Sequence, residues 1–394
     1  MKPKYELDAS GPSRIRQRNR DAVLHHIRFN GAASRTNLAY VLNLSGAAVS
    51  SVVAELVDDG LLQETSSAPP SGRLGRPVSL LELSPDAAYT LGLVLRPVPG
   101  GVDVQSAWAD YSGGVQVVDS VSVLEATERE SILDGIEEAV TRLQAAVPDE
   151  NQISSIVVGI PGVVDENNRI INVPRLRVLE GGNFIDEVKK RIPASCTLNF
   201  KNDINLATIA ELYHRPVLRD QNFAYLFIGT GVGAGISLGG DIWSSYGWAG
   251  EVGQIRITRT GRRRENFEEL LGTDGWLADT LEDIGLRRTD LQAFAASASA
   301  GDARAVEALD DYAANLADLA QILNGVLDLD EIVVDYPSPV LLDHIIRNAQ
   351  EIMADVPMKV TLTRPSIGHT AAARGAAFTA LGHALSAVQR RDVG

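Results

Sequence analysis

The sequence predicts an α/β protein in two parts, a small helical head over residues 1–83 and a larger body of mixed strands and helices over residues 84–394. Three observations predict it. Apolar residues recur at helical spacing three times before residue 60, with turn-forming residues between the runs. Beyond residue 84, strand-like runs alternate with helical ones, and glycine-rich turns follow the strand ends. The charge changes sign between the parts: residues 1–80 carry a net charge of +3 and the rest −18.

The head opens with a helix from about Ser13 to Asn30, striped by Val23, Leu24 and Ile27 and ended by Gly31. Ser34 is a good N-cap for a second helix that carries Leu38, Val41 and Leu42 on one face. The turn Asn43-Leu44-Ser45 leads to a third helix, with Val49, Val52, Val53 and Leu56 at helical spacing and Gly60 as its stop. Leu61–Glu64 and Val78–Leu83 read as a strand pair, and the segment between them ends in Gly72-Arg73-Leu74-Gly75-Arg76-Pro77. Two short helices across a tight turn, followed by a hairpin with a Gly/Arg tip, form a winged helix-turn-helix pattern. Glycine lets backbone approach DNA, and arginine enters a narrow minor groove.

The third helix offers Ser45, Gly46, Ala47, Ala48, Ser50 and Ser51 on its outer face. These side chains supply methyl and hydroxyl contacts but no long bidentate arm to a base. Candidate DNA contacts are therefore Arg35, Ser45, Ala47, Ala48, Ser50, Ser51, Arg73 and Arg76, with Arg14, Arg16, Arg18 and Arg20 as further candidates for phosphates. Double-stranded operator DNA is the expected partner, met through the head alone because the acidic body repels phosphate. The same pattern also fits a three-helix interaction module with a flexible linker.

In the body, Tyr89–Leu95, Val102–Asp110 and Val115–Val123 read as a strand meander and Thr127–Val147 as a helix. Ile153–Ile160 is an apolar strand running into Pro161-Gly162. Thr197–Asn202 is a strand, with a helix from Asp203 to Tyr213 behind it. Phe223–Ile228 is a strand that enters Gly229-Thr230-Gly231-Val232-Gly233-Ala234-Gly235. Ala305–Leu327 and Ala371–Val388 are long helices on either side of an Ile332–Val334 strand.

Composition sets limits. At 394 residues the chain exceeds one ordinary domain. The single cysteine, Cys196, excludes an intrachain disulfide and a cysteine-rich zinc site. No run of about 18 apolar residues predicts a membrane span, and the charged stretch Met1–Ser10 is unlike a signal peptide. A cytoplasmic protein is expected.

Four segments carry a resemblance: Gly159-Ile160-Pro161-Gly162-Val163-Val164-Asp165, Lys201-Asn202-Asp203-Ile204-Asn205-Leu206-Ala207, Gly229–Gly235, and Ala249-Gly250-Glu251-Val252-Gly253-Gln254. Their order and spacing resemble the ROK family of repressors and sugar kinases, whose body has the two-lobed hexokinase/actin-like fold and whose repressor branch carries a winged helix-turn-helix head. The resemblance implies a sugar-binding set of Gly162, Asn202, Asp203, Glu251, Gln254 and Glu268. It also implies a sugar or sugar-phosphate effector and a homodimer or homotetramer. Read from position alone, Asp203 also fits a helix N-cap, Glu251 an exposed turn residue, and Gly229–Gly235 a β-turn inside a strand pair.

Two departures bear on function. Kinases of this family carry Asp-x-Gly-Gly-Thr after the first body strand. Here Val94 stands at the acid and Arg96-Pro97 at the glycines, and proline lacks the N–H that a phosphate cradle uses. Family members often hold zinc through a histidine and a cysteine cluster. Here Gln254 stands at the histidine, and Ile255–Glu269 has no cysteine and holds Arg262-Arg263-Arg264. The expectation is a regulator with no catalytic residues, cofactor or metal. The alternatives are an active sugar kinase fused to a DNA-binding head, and a constitutive DNA-binding protein whose body only dimerises.

Overall fold

The computed structural model describes residues 12–67, 78–98, 100–124, 128–165, 167, 169–181, 183–258, 264–357 and 359–391. The head comprises α1 (Pro12–Asn30), α2 (Arg35–Val41), α3 (Gly46–Asp58), β1 (Leu62–Ser67) and β2 (Val78–Leu83). Serine caps both helices of the turn: Ser34 Oγ accepts from the Asn37 N–H and Ser45 Oγ from the Ala48 N–H, each at 3.2 Å. Asn43 takes a left-handed φ of 51° between them. β1 and β2 pair antiparallel from Leu62↔Leu83 to Ser67↔Val78. The wing tip, with Arg73 and Arg76, lies outside the described residues.

The first lobe of the body comprises β3 (Tyr89–Val98), β4 (Gly101–Asp110), β5 (Val115–Leu124), α4 (Arg129–Ala146), β6 (Ile153–Ile160), β7 (Val163–Val164), β8 (Ile170–Ile171), α5 (Phe184–Lys189), β9 (Thr197–Asn202) and α6 (Asp203–His214). The second comprises β10 (Asn222–Ile228), β11 (Val232–Leu238), β12 (Asp241–Ile242), β13 (Arg256–Thr258), β14 (Arg264–Asn266), α7 (Phe267–Leu271), α8 (Trp276–Asp283), α9 (Leu291–Ser299), α10 (Ala303–Leu327), β15 (Glu331–Asp335), α11 (Pro339–Met353) and β16 (Thr361–Thr363), after which α12 (Ala371–Arg391) returns to pack on the sheet of the first lobe. The two main sheets share one plan, with orders β5-β4-β3-β6-β9 and β12-β11-β10-β15-β16. In each, a three-strand antiparallel meander is extended by two strands parallel to its first. In such sheets ligands sit outside the carboxyl ends of the parallel strands.

α6 and α12 fill the space between the sheets, and small residues let them approach. A Cβ on Gly92 of β3 would lie 2.3 Å from the Ala377 nitrogen, and one on Gly375 of α12 only 1.8 Å from the Leu206 carbonyl oxygen of α6. The sequence reading assigned the β10–β11 glycines to a phosphate loop or a turn, and the structure divides them. Gly229-Thr230-Gly231 is the tip of the hairpin closed by Ile228↔Val232. Gly233 and Gly235 lie along β11, where a Cβ would strike Ile204 and Thr208 of α6. Their smallness therefore serves helix packing.

Head and body share a core. Leu38, Val53, Leu56 and Leu81 of the head cluster with Ala88, Tyr111 and Leu381 of the body. The end of α1 is held by cations and rings. Arg28 donates to the Tyr213 hydroxyl and, at 3.1 Å, to the Phe378 carbonyl. Arg219 donates to the Phe29 carbonyl at 2.8 Å and lies 4.7 Å from the Phe29 ring centroid. Tyr213 stacks on Phe378 with centroids 4.0 Å apart.

Candidate functional site

The carboxyl ends of β3, β6, β9, β10, β15 and β16 open into one cleft of about 670 Å³. All six residues of the expected sugar set line it: Gly162, Asn202, Asp203, Glu251, Gln254 and Glu268. Each is placed by local chemistry. Gly162 follows β6, and a Cβ there would lie 2.8 Å from the Asn172 carbonyl oxygen. Asn202, not Asp203, is the N-cap of α6: its Oδ1 accepts from the Asn205 N–H at 2.9 Å, while its Nδ2 donates to the Gly162 carbonyl at 3.1 Å. That corrects the N-cap reading of Asp203. The Asn202 amide thus ties β6 to β9 and keeps one N–H for a ligand.

Asp203 is the first residue of α6, and its Oδ1 accepts from the Ile204 N–H at 2.9 Å. Burial pushes its carboxyl up to about 7, with the Ile204 and Asp203 N–H groups opposing, Glu251 adding to the rise and Arg96 opposing it. Glu251 is also raised, first by burial and then by Glu268, and the Asn172 amide holds it at 3.2 Å. Glu268 is raised by burial, against Arg175 and the Gln254 amide, which donates to it at 2.9 Å. Glu251 is thus half-buried in the cleft rather than exposed in a turn. Protonation of Asp203 carries a stability signature. Its folded value exceeds the ordinary 3.8, so the protonated fold is favoured and stability drains away as pH rises from about 4 to about 7. Asp203→Asn lacks that loss. The melting-temperature gain of the variant over the parent is expected to grow from pH 4 to pH 7 and stay level to pH 8. A gain constant across that range would contradict it.

Four contributors escaped the sequence reading: Arg96, Asn172, Arg175 and the Tyr225–Asp335 pair. Asn172 and Arg175 come from an irregular stretch after β8, where periodicity gives no signal. Arg175 donates to the Thr230 carbonyl at 2.9 Å and to Asp274 at 2.7 Å. Tyr225 donates to Asp335 at 2.9 Å. The stretch expected to replace the first phosphate loop is no loop. β3 runs on through Arg96↔Asp103 and Pro97↔Val102 into a hairpin with β4. β6 pairs with β3 only as far as Val94, so Pro97 costs no ladder bond on that side. Val94 is buried, packing with Ala107, Val157 and Leu206. Among the described residues no three His, Cys, Asp or Glu side chains are placed to share a metal ion.

On the head, Ala47, Ser50 and Ser51 are exposed on α3 and Ala48 is partly so. Ser45 caps the helix, and Ser51 donates to Glu55 at 3.1 Å. Several of the arginines read as phosphate contacts have carboxylate partners instead. Arg16 meets Glu55 at 2.6 Å, Arg20 is buried against Glu55 and Asp59, and Arg35 meets Glu64 at 2.6 Å. Arg20 braces α1 on α3, so it is unavailable to DNA. Among the described residues no helix is long and apolar enough to cross a membrane.

The model of the ROK family matches residues 99–383. The chain belongs to the ROK family. The match opens just past β3, the strand that departs from the ROK kinase pattern. The chain is similar to a putative xylose repressor of Caldicellulosiruptor sp. (strain Rt8B.4), 26% identical over 62% of this chain and 59% of the relative. It is also similar to the xylose repressor of Bacillus spizizenii, 25% identical over 65% and 64%, and to the DNA-binding transcriptional dual regulator NagC of Escherichia coli, 24% identical over 67% and 63%. The chain thus spans roughly three-fifths of the length of these ROK relatives. Among solved structures, a ROK family transcriptional regulator homologous to the E. coli MLC protein aligns with a TM-score of 0.73 at 21% identity, covering 95% of this chain and 98% of that one. A ROK glucokinase of Streptomyces griseus, in complex with glucose and AMPPNP, aligns at 0.60 and 18% identity, covering 74% and 99%. These likenesses establish the fold: a winged helix-turn-helix head on the two-lobed ROK body.

Proposed function

We propose that this chain is a DNA-binding transcription repressor controlled by a sugar or sugar derivative, without kinase activity. Residues 1–83 bind operator DNA, and residues 84–394 bind the effector and join two or four copies in the cytoplasm. The observation that carries the reading is the cleft. Its amide and carboxylate set suits paired hydrogen bonds to sugar hydroxyls, whereas a hairpin through Pro97 stands where a phosphate cradle would need backbone N–H groups. The names of the relatives, xylose repressors and NagC, support it.

α6 supplies the route from effector to DNA. Asp203 at its start lines the cleft, and Tyr213 near its end receives Arg28 of α1. Its 12 residues span about 18 Å. Packing against Gly233, Gly235 and Gly375 leaves it little freedom to bend. A shift at Asp203 on ligand closure therefore reaches α1, and the coupling is reciprocal.

The test begins with operator fragments selected from genomic DNA by the full chain, then a panel of sugars, amino sugars and sugar phosphates scored by melting temperature and operator affinity. One panel member is expected to change operator affinity roughly 5- to 150-fold, and Asp203→Ala and Glu251→Ala to abolish that change while basal DNA binding persists. A panel that moves neither quantity would leave a body that only dimerises. A kinase reading draws on Asp203, whose raised carboxyl is suited to a general base. ATP-dependent phosphorylation of a hexose, abolished by Asp203→Ala, would establish it in place of the repressor reading.

A further inference from the structure

The cleft is longer than its sugar-facing end. Glu251 and Gln254 follow the β11 side of the second sheet, and Pro365 follows β16, three strands away in the order β11-β10-β15-β16. At about 4.8 Å per strand that is roughly 14 Å, more than one sugar ring needs. The chemistry changes along it. The carboxylates and amides gather at the β11 end. At the other end Pro337 and Pro339 line it from the start of α11 and Pro365 from the segment after β16, with Leu342 and with Asp335, Arg364 and His369 around them, and Pro97 lines it from β3. Pro337 and Pro339 are exposed to the cleft. Rigid apolar rings with no N–H offer flat contact and no cradle for phosphate.

Between the two ends lies Arg96, half-buried and lining the cleft. Among the described residues its side chain has no hydrogen-bond or salt-bridge partner, although Asp203 and Asp335 lie within reach of its charge. A planar guanidinium left in that state is suited to the face of an aromatic ring. An anionic group is the poorer match: Asp203, Asp335, Glu251 and Glu268 line the same cleft, and of the other cations that line it, beside His369, Arg175 and Arg364 already meet Asp274 and Asp343.

We propose that the effector is a glycoside with an aromatic aglycone: its sugar ring lies among Asn202, Asp203 and Glu251, and its aromatic ring lies under Arg96 against the proline wall. The proposal rests on the sugar-site reading above and narrows it to one ligand class.

The test uses the full chain and 4-nitrophenyl glycosides of glucose, galactose, xylose and N-acetylglucosamine. The matching free sugars, methyl glycosides and 6-phosphates, 4-nitrophenol and adenosine serve as comparators, with affinity read by calorimetry. At least one aryl glycoside is expected to bind about tenfold or more tightly than its free sugar and its methyl glycoside, the gain of burying one ring. Pro337→Asp, at an exposed position, is expected to cut that gain to less than about threefold while leaving affinity for the free sugar unchanged. Free sugars binding as well as their aryl glycosides, or a 6-phosphate binding best, would overturn the aglycone subsite and spare the sugar site. Adenosine or 4-nitrophenol binding as tightly as the glycosides would overturn it too. No binding by any sugar-bearing compound would overturn both readings together.

Discussion

Gly375→Val is expected to leave no native protein at 25 °C. Gly375 lies in α12 where that helix crosses α6, and a Cβ there would sit 1.8 Å from the Leu206 carbonyl oxygen and 2.6 Å from its carbon. The obstruction is backbone, so no side-chain rotation relieves it. Relief requires moving α12 off α6, which opens the cluster of Val94, Val157, Leu206, Ala373 and Ala377 between them. Overpacking ordinarily costs about 1–3 kcal/mol. Separation of two core helices adds lost burial at about 25 cal/mol per Å², against a total stability of about 5–15 kcal/mol. Gly31→Ala is the control, since a Cβ there meets nothing within 4 Å. Its positive φ of 82° leaves only a strain of about 1–2 kcal/mol. Circular dichroism and soluble yield read both. A folded Gly375→Val variant would mean that the helices do not cross as described.

Ala47→Glu is expected to weaken operator binding roughly 100-fold or more with no loss of folding. Ala47 is exposed in the first turn of α3, two residues past the cap at Ser45. A carboxylate near a helix N-terminus is if anything favourable to the helix, so the melting temperature should hold. Against DNA the same charge faces phosphates, where like-charge contact costs several kcal/mol, and every 1.4 kcal/mol is tenfold. Gel shift with the selected operator and a thermal melt measure the two effects. Unaltered operator affinity would remove α3 from the DNA interface and with it the head's assigned role.

The sequence was informative wherever a local rule had one solution. The serine cap at Ser34, the apolar faces of α1 to α3 and the meander of β3, β4 and β5 all follow from short-range signals, and the structure places them within a few residues of expectation, whereas the cap at Ser45 was read only as part of the turn. α5, α7, α8, α9 and α11 went unassigned. α9 is rich in alanine and serine and shows little apolar contrast. α11 is introduced by Tyr336-Pro337-Ser338-Pro339, which reads as a turn although proline also favours the first helical position. Five of the six sugar-set residues were found together because they lie in the segments that carry the family resemblance, with Glu268 added by the resemblance from outside them, and that resemblance says nothing of what is new in this chain. Arg96 was read only as a lost glycine. That its side chain enters the cleft opposite Asp335 depends on the pairing of β3 with β4 and on the second sheet, neither of which is visible in a window of ten residues. Asn202 and Asp203 exchanged the capping role for a similar reason: two adjacent residues were both competent, and the Gly162 carbonyl, 40 residues away, settled the orientation.

The core shared by head and body has a consequence for heat and for the cell. With Tyr111 and Leu381 buried among head residues and Arg28 enclosed by Tyr213 and Phe378, neither part can melt without exposing the other's apolar surface. The chain should absorb heat in a single cooperative peak rather than two. A destabilising change anywhere in the body then lowers the population of intact heads, and chaperones and proteases act on the remainder. Under the proposed function, loss of repression in a genetic screen would accordingly map across the whole length of the gene, with most of its positions far from both DNA and effector.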